Sequence, residues 1–494
     1  MNLKPVIGLE IHVQLKTNTK MFCGCDNSGE DKPINSCICE ICLGHPGTLP
    51  LPNETAIQWS LKASLALNCD IPTVSKFDRK HYFYPDLPKG YQISQYDEPL
   101  GKGGFLEING QTIRINRLHL EEDAAKLLHR DGYTLVDFNR AGTPLMEIVT
   151  EPDIEDPRIA GNFLRELRAI LKAIGVSDAD MEKGHLRCDA NISLRKEAQD
   201  KLYPKTEIKN INSFKAVERA LAYEIKRQTL LWEQDSAPKI ESTRGWDEEK
   251  GATIEQREKE AVHDYRYFCE PDIPPIRIMN YELGIKNNEQ SYIDLKTINA
   301  SLPELPQAKR QRFMNQYNFS LADASILTRD YALANYTEAV MSELYAWIES
   351  LEQNQEQDTK RAAKLAANWL INNLLPLADN FETLKISPEN FAELIAFIAQ
   401  RKINSTAAQS ILKIMAQSGK DPNAILLEEN LTQMEDDKDL KTIIAKVIAQ
   451  NKQASDDLKK GKEQAIKTLI GGVMRETKGR ANPQLVEKLI KGRQ

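Results

Sequence analysis

The chain has 494 residues, is 41% hydrophobic and carries a formal net charge of −7. A chain of this length and composition buries several cores, so roughly two to four domains are expected, and its acidic balance excludes a general nucleic-acid coat while allowing a local basic patch. No apolar run approaches the roughly 20 residues of a membrane span. The first residues are typical of a strand rather than a signal peptide, so the sequence predicts a cytoplasmic protein.

The first predicted element is a β-strand over residues 6–15, in which apolar and polar side chains alternate. Glu10, His12 and Gln14 should share one face of this strand, about 7 Å apart. The pattern therefore places a carboxylate beside an imidazole. An exposed strand face with ordinary polar residues has the same pattern, so the rest of the chain has to decide between the two.

Five of the eight cysteines lie between residues 23 and 42. In a cytosolic chain such clustering favours a metal site over disulfides, and a C-x-C followed by a C-x-x-C offers four thiolates to a tetrahedral zinc ion. We expect Cys37 to be the spare thiol and the ligands to be Cys23, Cys25, Cys39 and Cys42. The site would be structural and would brace the loop after the first strand. The alternative is a set of plain reduced thiols.

Basic and aromatic residues interleave around proline turns in residues 76–91. This mixture suits an acidic ligand with flat groups, such as a nucleotide or an RNA end, and it equally suits a solvated hairpin. Residues 101–104 are glycine-rich, but the chain contains no G-x-x-x-x-G-K-[ST] motif. A P-loop nucleotidase is therefore not expected.

Two further strands have one polar face each. Residues 113–121 place Arg117, His119 and Glu121 on the same side, and residues 186–195 separate five polar from five small or apolar side chains. Together with amphipathic runs such as residues 214–225, they predict an α+β domain with a largely antiparallel sheet.

A buried acid is predicted between these two strands. A Gly-x-Pro turn within residues 136–149 leads into an apolar strand that contains Glu147. A carboxylate in such a strand costs energy unless it is paired or bound to a metal.

Taken together, the chain resembles the B subunits of the aspartyl/glutamyl-tRNA(Asn/Gln) amidotransferases of the bacterial type, over essentially its whole length. The resemblance rests on the segments 6–12, 77–95, 118–123, 137–149, 151–153, 186–194, 209–213, 264–268 and 302–306. Among these, the run D-F-N-R-A-G-T-P-L over residues 137–145 is nearly diagnostic of the family.

The resemblance implies an enzyme that uses ATP to phosphorylate the side-chain carboxylate of Glu-tRNA(Gln) or Asp-tRNA(Asn), after which ammonia displaces the phosphate. A carboxylate has no viable leaving group, whereas an acyl phosphate has one. Phosphoryl transfer requires mainly positioning and charge neutralisation, which acidic metal ligands and basic side chains supply. The catalytic domain of this family is similar to that of glutamine synthetase.

The resemblance also implies a Mg²⁺ site at Glu10, His12, Glu147 and one of Glu121 and Glu122. Alternation puts the last two acids on opposite faces and leaves the choice between them open. His12 is an unusual partner for a hard ion, so it acts through water or favours Mn²⁺. Other polar positions implied around the site are Lys80, Tyr82, Lys89, Arg187, Asp189, Asn191, Lys209 and Arg266, of which Lys80, Lys89, Lys209 and Arg266 are expected to contact ATP.

The chain has no G-x-S-x-G elbow and no Gly/Ser-rich amidase segment, so nothing in it is expected to release ammonia from glutamine. The resemblance therefore implies a heterotrimer with a separate amidase subunit, a small clamp subunit and a tunnel between active sites, acting on tRNA(Gln), tRNA(Asn) or both. Two other functions remain open: a non-catalytic zinc and tRNA-binding scaffold, and a free-standing ATP-dependent glutamate or aspartate ligase that needs no tRNA.

Prolines after residue 270 mark a passage to helical sequence, with a boundary near residue 300. Helices are predicted over residues 339–351, 362–375 and 391–398, and the pattern restarts near Asn404. We therefore predict a catalytic domain over 1–294, an all-α domain over 295–404 and a small all-α tail domain over 405–494.

The predicted tail domain differs in charge from the rest of the chain. Residues 455–494 hold ten Lys/Arg and five Asp/Glu, a net +5 that leaves −12 for the first 454 residues. In this segment Ile466, Leu469, Ile470 and Val473 predict one apolar helical face. A compact, basic helical tail of this kind is a candidate tRNA contact.

Overall fold

The computed structural model describes residues 2–197, 201–258, 265–279, 292–350, 355–429, 437–459, 464–477, 481 and 483–491. Contacts divide the chain into two compact units, Met1–Leu305 and Pro306–Gln494. The first unit combines sheets with helices, and the second is helical. This confirms the predicted α+β class with all-α regions after the sheet domain. Within the described ranges, no helix is both long and apolar enough to cross a membrane.

All the strands lie in the first unit as far as the chain is described. In chain order they are β1 (Leu3–Gln14), β2 (Val74–Ser75), β3 (Asp78–His81), β4 (Tyr91–Ser94), β5 (Gly101–Ile108), β6 (Gln111–Glu122), β7 (Lys126–Arg130), β8 (Tyr133–Asp137), β9 (Pro144–Thr150), β10 (Leu186–Lys196), β11 (Thr206–Lys209), β12 (Ser242–Asp247), β13 (Ala252–Glu258), β14 (Phe268–Cys269), β15 (Ile276–Met279) and β16 (Ile293–Asp294).

The helices of the first unit are α1 (Glu54–Ala66), α2 (Pro157–Ala173), α3 (Phe214–Glu233) and α4 (Leu295–Ala300). Those of the second unit are α5 (Pro306–Tyr317), α6 (Leu321–Leu327), α7 (Tyr331–Glu349), α8 (Gln355–Trp369), α9 (Pro388–Ala399), α10 (Ser405–Ser418), α11 (Pro422–Glu428), α12 (Asp437–Gln450), α13 (Lys452–Lys459), α14 (Ala465–Glu476) and α15 (Pro483–Lys491). A π-helical turn over Leu370–Leu374 and a 3₁₀ turn over Leu375–Leu377 continue α8.

Eight strands form the main sheet in the order β13-β12-β11-β10-β1-β9-β6-β5. Every neighbouring pair is antiparallel except β11 and β12, which are parallel. Smaller sheets join β14-β3-β4, β16-β15-β2 and β7-β8. The sheet is therefore largely antiparallel, as the alternating strands predicted, and β1 lies near its centre.

Alternation along β1 divides the main sheet into a core face and a polar face. Ile7, Leu9, Ile11 and Val13 are at most 1% exposed and pack in one hydrophobic core with residues of α1, α2 and α3. These helices begin at well-formed caps; for example, the side chain of Ser213 accepts a hydrogen bond from the backbone of α3. Because the helices take one face of the sheet, the polar side chains of β1 are left on the other.

In the part of the helical unit that the structure describes, the buried side chains form two hydrophobic cores. The first runs from Phe313 to Leu426 and includes α10 and α11, and the second runs from Leu440 to Ile490. The helical pattern does restart at Asn404, which caps α10, but the two cores separate between residues 426 and 440 rather than at residue 404. The division into three domains itself stays a prediction.

The predicted apolar face of the tail is present. Ile466, Leu469 and Val473 are buried on α14 and Ile470 packs beside them in the second core. The helices predicted in the middle of this unit correspond to α7, to α8 with its π-helical turn, and to α9. Leu351, at the predicted end of the first of them, lies outside the described residues.

Candidate functional site

Four neighbouring strands carry a row of polar side chains across the open face of the main sheet. Arg187 on β10 lies opposite His12 on β1, His12 lies opposite Glu147 on β9, and Glu147 lies opposite His119 on β6. Residues in register on adjacent strands point to the same face, about 4.8 Å apart. The row therefore brings two imidazoles to either side of one carboxylate.

The carboxylates of Glu147 and Glu121 meet both imidazoles. His12 Nε2 lies 3.6 Å from Glu147 Oε2 and 3.8 Å from Glu121 Oε1. His119 Nε2 lies 3.2 Å from Glu147 Oε2 and 3.7 Å from Glu121 Oε2, and Ser94 Oγ donates to Glu121 Oε2 at 3.1 Å. We call the set His12, His119, Glu121 and Glu147 the acid–imidazole cluster.

Burial makes the charges of this cluster depend on one another. Burial alone disfavours the charged form of an imidazole, yet the carboxylate of Glu147 raises the pKa of His12, and Glu147 with Glu121 raises the pKa of His119 to about 9. Burial alone would raise the pKa of Glu147. The neighbouring His119 outweighs this effect and holds the pKa of Glu147 well below its ordinary value. Two ionised acids are therefore kept on the buried face, where a cation would be favoured.

Of the predicted acidic ligands, Glu121 and Glu147 join this cluster, and Glu10 and Glu122 do not. Glu10 is two residues along β1 and accepts a hydrogen bond from Asn191 Nδ2 at 2.8 Å. Glu122 points to the other side of β6, where both its oxygens are engaged. Oε2 accepts from Lys89 Nζ at 2.7 Å, and Oε1 accepts from the backbone N–H of Ile93 at 3.0 Å. The geometry thus brings Glu121, and not Glu122, next to His12.

Two other predicted residues border the cluster. Lys80 Nζ lies 5.0 Å from the ring centroid of Tyr265, and although burial opposes its charge, the carboxylates of Glu121 and Glu147 raise its pKa. The ring of Tyr82 packs edge-on against Tyr265, and burial raises the pKa of its phenol. Lys80 therefore stays an ammonium group at the edge of the acidic face.

The polar residues of β10 and β11 form ion pairs along the same face. Arg187 donates to the buried carboxylate of Asp123 at 2.7 Å, and Lys209 Nζ lies 3.1 Å from Asp189 Oδ2. Arg266 differs, since its side chain is exposed and its backbone, at a φ of 46°, places its carbonyl 3.2 Å from His81 Nδ1.

The nearly diagnostic segment 137–145 forms the turn that leads into β9. Gly142 adopts a φ of 85°, a left-handed conformation that favours glycine, and its backbone bonds both Asp123 and Met21. This turn ties the start of β9 to the end of β6 and to the loop after β1. It therefore sets the register that places Glu147 beside His12 and His119.

A second cluster gathers the four cysteines that the sequence predicted as ligands. The four Sγ atoms all lie within 4.8 Å of one another; they belong to Cys23, Cys25, Cys39 and Cys42. Cys37 stays outside this set; its backbone N–H donates to Asn139 Oδ1 at 2.9 Å and holds the loop against the segment 137–145. Tetrahedral zinc requires sulfurs about 3.8 Å apart, so the four thiols need only small movements to fit it.

The surroundings of the thiols favour negative charge at one of them. A hydrogen bond from Cys23 lowers the pKa of Cys42 to about 5, and Lys20 contributes to that shift, whereas burial raises the pKa of Cys25 to about 12. Lys20 is completely buried, with Nζ 3.2 Å from the carbonyl oxygen of Phe138 and 3.9 Å from Cys42 Sγ. A buried ammonium group next to four sulfurs suits a site that becomes anionic on binding zinc.

The acid–imidazole cluster suits a divalent cation of a different kind. His12, Glu121 and Glu147 each offer one ligand atom within 4.8 Å of the others. Two carboxylates match Mg²⁺, while the imidazole extends the range to Mn²⁺. Within the described residues, these two clusters are the groups of three or more His, Cys, Asp or Glu side chains that could hold a metal.

Sequence reasoning missed His119 and Asp123 as members of the site. The alternation of β6 had already placed His119 on the face of Glu121, and that was the available signal. The sequence did not reveal the strand order, and His119 meets Glu147 only because β9 lies between β1 and β6. Asp123 follows β6 and was no candidate until Arg187 was seen to bond it.

Comparison with known proteins identifies two matching family models. The GatB/GatE catalytic domain matches residues 5–283, and the GatB domain matches residues 350–493. Their boundary region coincides with the passage from the first unit to the second. The first match contains both clusters described above.

Curated relatives match over nearly the full length. The B subunits of aspartyl/glutamyl-tRNA(Asn/Gln) amidotransferase are 44% identical over 499 residues in Carboxydothermus hydrogenoformans, covering 98% of each chain, and 44% identical over 504 residues in Thermotoga maritima, covering 99% of this chain and 98% of that protein. The corresponding protein of Persephonella marina is 44% identical over 499 residues, covering 99% of each.

Proposed function

Because the chain belongs to the family of aspartyl/glutamyl-tRNA(Asn/Gln) amidotransferase B subunits, we propose that it carries the site where the aminoacyl-tRNA is activated. In this proposal ATP phosphorylates the side-chain carboxylate of Glu-tRNA(Gln) or Asp-tRNA(Asn). Ammonia derived from glutamine then displaces the phosphate, giving Gln-tRNA(Gln) or Asn-tRNA(Asn). The overall reaction is a ligation that forms a C–N bond.

The observation that carries this proposal is the acid–imidazole cluster on the open face of the main sheet. His12, Glu121 and Glu147 offer three ligand atoms within 4.8 Å of one another on a surface that also holds several cations. A bound Mg²⁺ would neutralise phosphate charge as the phosphoryl group is transferred. The chain's own part is to hold its two acids ionised and fixed, which the neighbouring imidazoles of His12 and His119 achieve against the effect of burial.

The neighbouring cations have a separate role in the proposal. Lys80 lies at the edge of the cluster and Lys209 lies on β11, so both ammonium groups face the region where phosphates would bind. Lys89 is less suited to contact ATP, because Glu122 engages it at 2.6 Å. We therefore assign phosphate binding to Lys80 and Lys209 rather than to Lys89 or the exposed Arg266.

Glu10, Asp189 and Asn191 make up a second polar group beside the cluster. Asn191 donates to Glu10, and Lys205 Nζ lies 3.7 Å from Glu10 Oε1. A carboxylate held in this way is positioned to contact a positively charged group of the substrate or another ligand of the metal. In the proposal Glu10 thus acts next to His12, Glu121 and Glu147 and not as a member of their ligand set.

The cysteine cluster has a structural part in the proposal. A zinc ion held by four thiolates has no open coordination position, so it would brace the loop between β1 and α1 without taking part in the reaction. That loop contacts the segment 137–145 through Cys37 and Asn139. Zinc would in this way stabilise the turn that precedes Glu147.

The proposal includes partners, as the term subunit in the relatives' names suggests. An amidase subunit would hydrolyse glutamine, a small clamp subunit would complete a heterotrimer, and tRNA(Gln) or tRNA(Asn) would carry the substrate. The assembly would work in the cytoplasm, where protein synthesis takes place. The basic helices after residue 455 are the proposed tRNA contact, through phosphate neutralisation.

The test is ATP hydrolysis by the complex of this chain with its amidase and clamp subunits. Four additions are compared: Glu-tRNA(Gln), Asp-tRNA(Asn), the same tRNAs without an amino acid, and free glutamate. Hydrolysis that requires the aminoacyl-tRNA supports the proposal. Hydrolysis with free glutamate alone indicates a free-standing ligase, and no hydrolysis under any condition indicates a non-catalytic scaffold.

A further inference from the structure

A cavity of about 220 Å³ borders the cysteine cluster. Cys23 and Cys42 line it together with Tyr91 of β4, Glu122 of β6 and Gly142. None of the residue roles assigned above uses this cavity. Roughly 10–15 Å³ of such space is enough for one water molecule, so a small polar solute has room to enter. Two of the four clustered cysteines are therefore within reach of such a solute.

The four sulfurs are close enough to be joined in pairs. All four Sγ atoms lie within 4.8 Å of one another. A disulfide has its sulfurs about 2.0 Å apart, so rotation of two side chains and a small movement of the loop would form one. Cys25 and Cys39 do not line the cavity, although the structure describes both. The pair that the cavity reaches is thus Cys23 with Cys42.

Cys42 is the better nucleophile of this pair. Cys23 donates a hydrogen bond to Cys42, and this bond raises the pKa of Cys23 and lowers the pKa of Cys42 more than any other influence does. In addition, Lys20 Nζ lies 3.9 Å from Cys42 Sγ, and the backbone N–H of Cys39 donates to the same sulfur at 3.1 Å. These groups stabilise a thiolate, which is the form of cysteine that attacks an electrophile.

We propose that Cys42 and Cys23 are a site of oxidation by hydrogen peroxide, which joins them in a disulfide and releases the bound zinc. The Cys42 thiolate attacks one peroxide oxygen: an S–O bond forms, the O–O bond breaks, and the departing hydroxide takes up a proton to give water. The Cys23 thiolate then attacks the Cys42 sulfur: an S–S bond forms, the S–O bond breaks, and a second proton gives a second water.

Zinc takes no part in the electron transfer. Two thiolates lose two electrons to one peroxide, and the zinc ion keeps its charge. Two thiolates then remain of the four that a closed structural site requires, so the ion leaves. The inference rests on zinc binding by the cysteine cluster, which is one part of the proposed function, and it does not depend on the transamidation reaction.

Oxidation at this pair should loosen the turn formed by the segment 137–145. The backbone N–H of Met21 donates to the carbonyl oxygen of Gly142 at 2.7 Å, and a Cβ atom at residue 142 would lie 3.6 Å from Cys42 Cβ. The turn therefore packs directly against the cysteine cluster. Because this turn precedes Glu147, loss of zinc would affect the start of β9.

The experiment treats the full chain, purified with its zinc, with hydrogen peroxide. A coloured chelator follows the release of zinc, and mass spectrometry of peptides identifies the disulfide. Thr48→Trp places a large side chain in the cavity and keeps all four cysteines. Leu49→Trp is the matched control, since Leu49 is the next residue, is 65% exposed and does not line the cavity in the described structure.

We expect peroxide to release about one zinc ion per chain and to join Cys23 to Cys42. Thr48→Trp should release zinc about fivefold more slowly or slower still, because access to the thiolate limits its oxidation, and Leu49→Trp should match the wild type. Backbone hydrogen exchange in residues 137–145 should quicken after oxidation, while exchange in α2 stays the same. Dithiothreitol with added zinc should reverse these changes.

Three results would overturn the proposal and leave the proposed function standing. The first is a chain that keeps its zinc while peroxide oxidises the exposed Cys269. The second is a disulfide that joins Cys39 to Cys42 instead. The third is equal release of zinc from Thr48→Trp and the wild type. If Thr48→Trp does not retain zinc on purification, the disulfide identified in the wild type decides.

Other results separate this inference from the proposed function. A wild type that binds no zinc would remove both the structural zinc and the oxidation site. Zinc release with the expected disulfide, in a protein whose untreated complex shows no aminoacyl-tRNA-dependent ATP hydrolysis, would remove the proposed reaction and keep the oxidation site. Unchanged hydrogen exchange in residues 137–145 after zinc release would overturn the link between the oxidation site and the turn.

Discussion

His12 and Glu147 lie directly opposite each other on β1 and β9, with the imidazole Nε2 3.6 Å from the carboxylate Oε2. Neither residue is close to the other in sequence, so only the pairing of these two strands brings them together. His119 approaches the same oxygen from β6 at 3.2 Å. The carboxylate of Glu147 is therefore the central group of the cluster, which makes it the sharpest point at which to test the site.

Glu147→Gln should reduce aminoacyl-tRNA-dependent ATP hydrolysis by at least about a hundredfold, a loss of roughly 2.7 kcal/mol of transition-state stabilisation. The amide keeps the shape of the side chain but weakens its hold on a divalent cation. Steady-state rates at saturating Mg²⁺ and ATP measure this, with Glu107→Gln, at an exposed position of the edge strand β5, as the control. Retention of more than a tenth of the wild-type rate would falsify the role of Glu147.

Glu121→Gln and Glu122→Gln should differ, although the two residues are adjacent. Glu121→Gln should lower activity because Glu121 faces His12, while Glu122→Gln and Lys89→Met should mainly lower stability because they break a buried ion pair. Removing one partner of such a pair costs about 3 kcal/mol or more, and the double variant should recover part of it. Thermal and denaturant unfolding measure the stability. Equal activity loss in both glutamates would contradict the assignment.

The cysteine cluster should bind about one zinc ion per chain. Cys39→Ser should lower both the zinc content and the melting temperature, because it removes one of four ligands. Cys37→Ser should leave the zinc content unchanged, since Cys37 lies outside the cluster. Elemental analysis of the wild type and the two variants, purified without added metal, measures the zinc content. Similar losses of zinc in both variants would refute this choice of ligands.

Lys20 should control how firmly that zinc is held. Its buried ammonium group lies 3.9 Å from Cys42 Sγ, where it offsets part of the charge of four thiolates. Lys20→Met should therefore speed the transfer of zinc to a coloured chelator by about tenfold or more. Lys16→Met is the control, because Lys16 is exposed and pairs with Asp178. Unchanged transfer rates would show that Lys20 only anchors the carbonyl of Phe138.

The basic tail should contribute to the salt dependence of tRNA binding. Deleting residues 405–494 would also remove α10 and α11 from the first helical core, so the cleaner truncation removes residues 437–494. It should raise the KM for aminoacyl-tRNA and flatten the salt dependence of binding. The predicted contacts include Lys488 and Lys491; Arg493, named with them from the sequence, lies outside the described residues.

Substitutions that remove charge but keep the tail test whether it contacts tRNA or only packs against the rest of the helical unit. Lys467→Gln with Lys488→Gln removes two exposed charges and should lower the slope of log affinity against log salt by about 1.5, at 0.7 to 0.9 for each phosphate contact. Lys364→Gln with Lys413→Gln, two exposed lysines of the first helical core, is the matched control. Parallel slopes in the two pairs would show that the tail is not the electrostatic contact.

The sequence by itself determined which side chains share a strand face. Alternation separated Glu10 and His12 from the apolar face of β1, placed His119 with Glu121, and put Glu121 and Glu122 on opposite sides of β6. Spacing alone also picked out the four cysteines that come together and left out Cys37. These properties are local, because the direction of a side chain follows from the two-residue period of a strand.

Only the tertiary structure decided which of those faces meet. The order β10-β1-β9-β6 places Glu147 between His12 and His119, draws Glu121 into the cluster and leaves Glu122 to Lys89. Strand neighbours in an antiparallel sheet are far apart in the chain, and their pairing depends on the core that the helices complete, which no local pattern contains.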